Sequence, residues 1–195
     1  AVICISDPLR KEAKDAIQAL HACGISKVVM MTGDSRRTAE AVAREVGVDQ
    51  FYAEVLPEDK ANFVRKEKAA GRKVIMIGDG VNDTPALSEA DVGIAINTGA
   101  AIAREIADVT IASEDLFELV TLRKISQALM GRIQRNYRFI VGFNLMLIVL
   151  GVTGVIQPTT SALLHNASTL GISLDSMTDL LDKDKEKALP ETESA

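Results

Sequence analysis

The sequence predicts an α/β fold, a parallel sheet covered by helices on both faces, followed by a transmembrane helical hairpin. Three observations predict it. Short apolar runs alternate with amphipathic stretches from Val2 to Ile111, the pattern of strands joined by crossover helices. From Phe139 to Leu181 the only charged residues are Asp175 and Asp179. The charge returns abruptly in a polar tail, Asp182 to Ala195. The 195 residues leave room for one domain of about 150 residues and something smaller.

Each element has its own signal. Val2–Ile5 reads as a strand. Pro8–Cys23 reads as a helix, with Asp7 as N-cap, Pro8 at the first helical position and Gly24 as the stop. Val28–Met31 is the next strand. Ser35–Val46 is a helix closed by Gly47, Phe51–Val55 a weak strand, and Glu58–Ala70 a helix closed by Gly71. Val74–Ile77 reads as a buried strand. Asp83–Glu89 is a short helix, Val92–Ile96 a strand, Ala100–Ile106 a helix and Val109–Ile111 a strand. Residues 1–115 thus form the α/β domain.

A long helical pattern begins near Glu114 and carries Arg123, Lys124, Arg132, Arg135 and Arg138. It predicts a linking helix over 116–138. The run Phe139–Ile156 follows without a charge; about 20 residues cross a hydrocarbon core of about 30 Å. A buried core helix of that length would carry more polar residues. The basic residues before the run place that end in the cytoplasm. Gln157-Pro158-Thr159 makes a turn, and Ser161–Leu181 returns as a weaker span, so that 139–181 hold two membrane helices and 182–195 a disordered tail.

Composition excludes several classes. Twenty-two basic and 27 acidic residues give a net charge of −5, against a nucleic-acid binder. Aromatics at 4% are too few for a base-stacking surface. Two cysteines, Cys4 and Cys23, make neither a disulfide scaffold nor a four-ligand zinc site; a reducing, cytosol-facing compartment fits. Cys4 reads as a small core residue and Cys23 as a helix-end residue.

Two predicted strands end in residues suited to phosphate chemistry, at the edge where open parallel sheets bind ligands. Val28–Met31 runs into Thr32-Gly33-Asp34. The glycine admits a close ligand, and the threonine hydroxyl with the N–H groups of a helix start suits a phosphate oxygen; an ordinary helix cap by Asp34 or Ser35 explains the same residues. Val74–Ile77 runs into Gly78-Asp79-Gly80-Val81-Asn82-Asp83. Two carboxylates and an amide on one turn are hard oxygen ligands for Mg²⁺, or else a solvated turn with Asp83 as cap. Lys60, after Leu56-Pro57-Glu58-Asp59, is a cation in the first turn of a helix, where the dipole disfavours it. A nearby phosphate would offset that cost, and a plain surface lysine is the alternative. Together the three motifs describe a phosphoryl-transfer site built on positioning and charge neutralisation.

The segments TGD, LPEDK and GDGVNDTPALSEADVGIAI resemble the second half of the phosphorylation domain of P-type ATPases, in the haloacid-dehalogenase superfamily. DPLRKEA before them and GAAIAREIADVTI after them fit as well. The basic helix and span pair look like the last two membrane spans of the heavy-metal (CPx-type) branch. The resemblance runs from about Val2 to Leu181. It implies a Rossmann-like sheet of the haloacid-dehalogenase type, ATP and Mg²⁺ as cofactors, and a transported divalent heavy metal. It implies that Thr32, Gly33 and Asp34 contact phosphate and nucleotide, that Lys60 neutralises the phosphoryl group, and that Asp79 ligates Mg²⁺ with Asn82 and Asp83 in support. It places the soluble part in the cytoplasm and the spans in the cell membrane.

In the second span, His165-Asn166-Ala167-Ser168-Thr169 stands where zinc- and cobalt-type pumps carry a His–acid pair and copper pumps Met and Ser. This makes His165, Asn166 and Ser168 candidate ligands of the transported cation. Nitrogen and oxygen donors disfavour Cu(I); helix–helix hydrogen bonding is the other role for His165. Asp175, Met177 and Asp179 line the metal path or its exit.

No DKTGT, TGE or Cys-Pro-Cys motif occurs in the sequence. Asp7 follows a predicted strand as a haloacid-dehalogenase nucleophile does, but Leu9 stands where that motif needs an acid or hydroxyl. The chain is therefore read as the C-terminal part of a heavy-metal pump. It is inactive alone and partnered by the nucleotide, actuator and first membrane portions and by the bilayer. A membrane-anchored phosphatase using Asp7 and a non-catalytic split subunit are the alternatives.

Overall fold

A computed structural model of the chain describes residues 9–78, 81–96, 105–112 and 115–181. The expected strand Val2–Ile5, the candidates Asp7 and Asp79, Cys4, most of the expected helix Ala100–Ile106 and the tail lie outside them. The chain divides into two compact units, Ala1–Thr121 and Leu122–Ala195.

The first unit alternates helices and strands. Helix α1 (Ala13–Ala22) begins after a turn in which the Ala13 N–H donates to Arg10 O at 3.1 Å. Its start lies well after Pro8, so the expected cap by Asp7 and Pro8 is corrected: Glu12 is the N-cap residue. The end is as expected, because Gly24 at φ 85° adopts the left-handed turn that a helix stop requires. Strand β1 (Val29–Met31) leads through the N-cap Ser35 into α2 (Arg36–Val46). There Ala39, Ala43 and Val46 share the buried face at helical spacing. Strand β2 (Gln50–Tyr52), α3 (Pro57–Ala69) and β3 (Ile75–Gly78) follow. A 3₁₀ turn, Val81–Asp83, runs into α4 (Thr84–Glu89), then β4 (Val92–Ile96) and β5 (Val109–Ile111).

Among the described residues all strand pairing is parallel, but the strands form two sheets where the sequence suggests one. β1 pairs with β2, and separately β3 with β4 and β4 with β5. The core gathers on β4, where Ile94, Ala95 and Ile96 are buried beside Ala86, Leu87 and Val64. Gly93 lets α4 close on the sheet, since a Cβ there would lie 2.7 Å from Leu87 O. A second correction concerns β3. Its apolar run reads as a buried strand, yet Ile75 and Ile77 are 44% and 39% exposed. Apolar composition reports the cover a strand needs; β3 opens into a groove of about 770 Å³ that Val29 and Met31 of β1 also line.

Helix α5 (Phe117–Val152) runs unbroken for 36 residues through the expected linker and first span. Among the described residues it alone is long and apolar enough to cross a membrane, and only 6% of its apolar window is buried, unlike a soluble core helix. Helix α6 (Pro158–Ser176) is shorter, at 19 residues, and more polar. Pro158 is its first residue rather than the middle of a turn, because a proline needs no N–H partner at that position.

Candidate functional site

The local chain explains where Lys60 goes. Pro57 opens α3, and the Asp59 carboxylate accepts the Leu56 N–H at 3.2 Å, which fixes the first turn. Lys60 Nζ then donates to Asp83 Oδ1 at 2.7 Å, with side chains only 15% and 12% exposed. Asp83 is the one buried charged residue among those described. Its carboxylate offsets the unfavourable dipole at Lys60 that the sequence left open. Gly78 makes room for it: a Cβ at Gly78 would lie 2.5 Å from Asp83 Cβ and 2.9 Å from its Oδ2. Asp83 does not cap α4 with its side chain, so the carboxylate is committed to Lys60. Asn82 beside it is exposed.

Thr32-Gly33-Asp34 continues β1. The Thr32 N–H extends the parallel ladder to Tyr52 O at 3.0 Å, and Val55 N–H donates to Thr32 O at 3.0 Å. The Thr32 hydroxyl donates to Asp34 Oδ2 at 2.8 Å and accepts the Asp34 N–H at 3.1 Å. Ser35, whose Oγ accepts the Thr38 N–H at 3.4 Å, caps α2 and leaves Thr32 and Asp34 free of that duty. A Cβ on Gly33 would meet nothing closer than Val55 O at 3.9 Å, so the space over this turn is open. Gly33, Asp34 and Ser35 are all exposed.

The second unit holds the membrane candidates. His165 Nδ1 donates to Asn144 Oδ1 across the two helices at 2.8 Å. Ser168 and Thr169 donate their hydroxyls back to His165 O at 2.7 and 3.0 Å. Asn166, one residue on, is turned about 100° around the helix from His165. Of the expected His165, Asn166 and Ser168, His165 is thus the one hydrogen-bonded by its side chain to Asn144 across the two helices. Sequence reasoning missed Asn144, although it is the one amide in the run Phe139–Ile156. It also missed a clasp at the other end of the helices. The Arg132 guanidinium donates to the carbonyls of Ser176, Thr178 and Asp179 at 3.2, 2.7 and 2.9 Å, and Arg135 pairs with Asp175 at 3.2 Å. Met177 is 81% exposed.

A profile of haloacid dehalogenase-like hydrolases matches residues 1–91. Over 164 residues the chain is 47% identical to copper-transporting ATPase 2 of Rhizobium meliloti, which covers 84% of this chain and 20% of that protein. It is 43% identical over 157 residues to a copper-exporting P-type ATPase of Staphylococcus aureus, again covering 20% of that protein. A solved zinc-transporting PIB-type ATPase in its E2.Pi state superposes with a TM-score of 0.81 at 34% identity, over 87% of this chain and 28% of that one. In sequence and in fold the chain is similar to heavy-metal P-type ATPases. It spans about a fifth of the length of the curated relatives it matches. The catalytic domain of a CPx-ATPase, solved in a study of nucleotide binding, matches with a TM-score of 0.56 at 36% identity over 60% of this chain and 46% of that one. The motifs that carry the resemblance thus lie in heavy-metal P-type ATPase sequence on a haloacid-dehalogenase-like fold.

Proposed function

We propose that this chain supplies the phosphate- and Mg²⁺-binding half of the phosphorylation site, and part of the membrane metal path, of an ATP-driven transporter of divalent heavy-metal cations. The observation that carries the reading is the buried Lys60–Asp83 pair, 2.7 Å long, set at the carboxyl end of β3. A buried ion pair is costly to assemble and gains purpose where anionic phosphate arrives. Lys60 has two further N–H donors to offer. At the open turn Thr32-Gly33-Asp34, the Gly33 and Ser35 N–H groups lack acceptors among the described residues; these donors suit phosphate oxygens.

The donor set fits Mg²⁺. Asp83 keeps Oδ2 beyond its bond to Lys60, Asn82 is exposed beside it, and Asp79 shares the same short segment; carboxylate and amide oxygens are the ligands this cation takes. Mg²⁺, when bound, neutralises charge on the phosphate. The chain's own residues position it: Gly78 keeps Asp83 close to the strand, Lys60 holds Asp83 in one orientation, and the Thr32–Asp34 hydrogen bonds fix the turn whose N–H groups would meet the phosphoryl group. The aspartate that receives phosphate comes from a DKTGT motif, which this sequence lacks, so the chain alone does not turn over ATP.

In the second unit, the hydrogen bond to Asn144 holds the His165 proton on Nδ1. That tautomer directs the Nε2 lone pair outward, as metal-binding imidazoles require. An imidazole and amide pair suits a divalent cation better than Cu(I). The two helices cross the cell membrane with the first unit in the cytoplasm, as the basic residues along α5 favour.

The test is phosphoenzyme formation from radiolabelled ATP, using the chain in membranes with Mg²⁺. Label is expected only when a fragment carrying DKTGT is added, and Lys60→Met is expected to reduce it by about 100-fold. Labelling of the chain alone, abolished by Asp7→Asn, would replace this reading with an anchored phosphatase.

A further inference from the structure

Among the described residues, Glu54 is the one residue with a side chain that sits in left-handed backbone, at φ 56°. The other positive-φ positions are glycines, Gly24, Gly47, Gly71 and Gly154, which take that region readily. A Cβ there is strained, and such strain persists where the surroundings impose it, clustering beside functional sites. The Glu54 side chain is exposed, so its packing does not account for the backbone. The hydrogen bonds do. The Thr32 N–H donates to Tyr52 O at 3.0 Å. In a regular parallel ladder, whose bonds are evenly spaced, the next donor, to Thr32 O, is Glu54. Instead the Val55 N–H takes Thr32 O at 3.0 Å, and the Glu54 N–H reaches on to Asp34 O at 2.9 Å. Glu54 is thus the extra residue of a bulge at the end of the β1–β2 ladder. The two carbonyls it and Val55 hold lie on either side of Gly33. In a trans peptide the carbonyl and the N–H point to opposite sides. Holding Thr32 O therefore turns the Gly33 N–H away from the bulge, and holding Asp34 O does the same for the Ser35 N–H. The N–H between them, of Asp34, is taken by the Thr32 hydroxyl at 3.1 Å.

We propose that Glu54 is the positioning residue of the Thr32-Gly33-Asp34 turn: its left-handed backbone, and not its carboxylate, aims the Gly33 and Ser35 N–H groups at an arriving phosphate. This deepens the phosphorylation-site reading and rests on it. A carboxylate in this loop repels an anion, so charge does not explain the residue. The bulge does what a straight ladder cannot. Without the extra residue, Glu54 would bond Thr32 O and no N–H of this loop would be left over for Asp34 O. The Ser35 N–H would then lose its fixed direction, although Ser35 would still cap α2 through its hydroxyl.

The experiment uses the full chain in nanodiscs, with isotope-labelled glycine and serine and with inorganic phosphate as the probe. Phosphate is expected to move the Gly33 and Ser35 amide resonances of the parent along a saturating curve. Glu54→Asn and Glu54→Gly take positive φ more readily than glutamate and lack the carboxylate. Both are expected to bind phosphate within about threefold of the parent, or more tightly. Glu54→Val puts a β-branched side chain where left-handed backbone excludes it. It is expected to raise the half-saturating phosphate concentration by about tenfold or more. Full affinity in the Val form overturns the proposal, as does a parent in which phosphate leaves Gly33 and Ser35 unmoved. Loss of affinity in the Asn and Gly forms assigns the role to the carboxylate and overturns it too, whether or not the Val form folds. ATP labelling with the DKTGT fragment is read in parallel. Phosphate shifts that follow the series without any label refute the phosphorylation reading and leave the positioning role standing. Label undiminished in the Val form does the reverse.

Discussion

Gly78 and Gly33 look alike in the sequence, each following an apolar strand, yet they do different work. A methyl group at Gly78 would strike Asp83 at 2.5 Å, while one at Gly33 would find its nearest neighbour at 3.9 Å. Gly78→Ala is therefore expected to lower the stability of the first unit by about 2 kcal/mol through overpacking and to displace Asp83 from Lys60. Gly33→Ala is expected to stay within about 0.5 kcal/mol of the parent. Urea unfolding of the two variants side by side checks the contrast; equal losses would mean that Asp83 yields freely. The same residues show how far single positions could be read in advance. Lys60, Asp83 and Gly78 were each visible as candidates from their motifs. Their joining was not, because 23 positions separate Lys60 from Asp83 and only the fold brings them together.

At the level of elements, Asp91 fastens the start of β3 to β4. Its carboxylate accepts the Val74 N–H at 3.0 Å and Lys73 Nζ at 2.9 Å. The backbone N–H of Val74, and then Lys73, hold its pKa below the ordinary carboxylate value. A group whose folded pKa is depressed stabilises the fold above its unfolded pKa and loses that contribution as the pH falls through the folded value. Asp91→Asn is thus expected to be less stable than the parent at pH 7, with the gap closing below about pH 4. Thermal unfolding across that range tests it, and a gap that persists in acid would assign the effect to packing. The element boundaries that were legible are those set by local chemistry, such as Gly24, Gly47 and Gly71, all at positive φ, and the run Val92–Ile96. The buried status of β3 was not legible, because it depends on a neighbour rather than on β3 itself. The start of α1 was misread because Pro8 permits a helix without compelling one.

For the molecule as a whole, the second unit shows how its two helices are joined. Helix α6 is short of the apolar content that would carry it across a bilayer unaided, and it meets α5 through polar groups near its middle and at its C-terminal end. One is the His165–Asn144 bond; the other is the clasp by Arg132 on carbonyls that no helical N–H can reach. Arg132→Ala is expected to speed amide exchange at Met177 and Thr178, while Arg132→Lys restores it only in part, since an ammonium cannot span three carbonyls as a planar fork does. Equal exchange in all three forms would show that the clasp is dispensable. The sequence suggested two spans, from the return of charge after Leu181, and among the described residues α5 alone has the length and apolar content of one. It did not reveal the clasp, because Arg132 reads simply as one more basic residue on the inner side.

The exposed isoleucines of β3 also bear on the life of the chain in a cell. Strand residues left 44% and 39% exposed, as Ile75 and Ile77 are among the described residues, invite capture by other extended chains, and quality-control proteases act on the population that stays open. Replacing Ile75 and Ile77 together by threonine, which keeps the β-branched shape a strand favours, is expected to lengthen the lifetime of the chain in a cell. A pulse-chase comparison with the parent checks it, and equal lifetimes would mean that proteases reach the chain elsewhere.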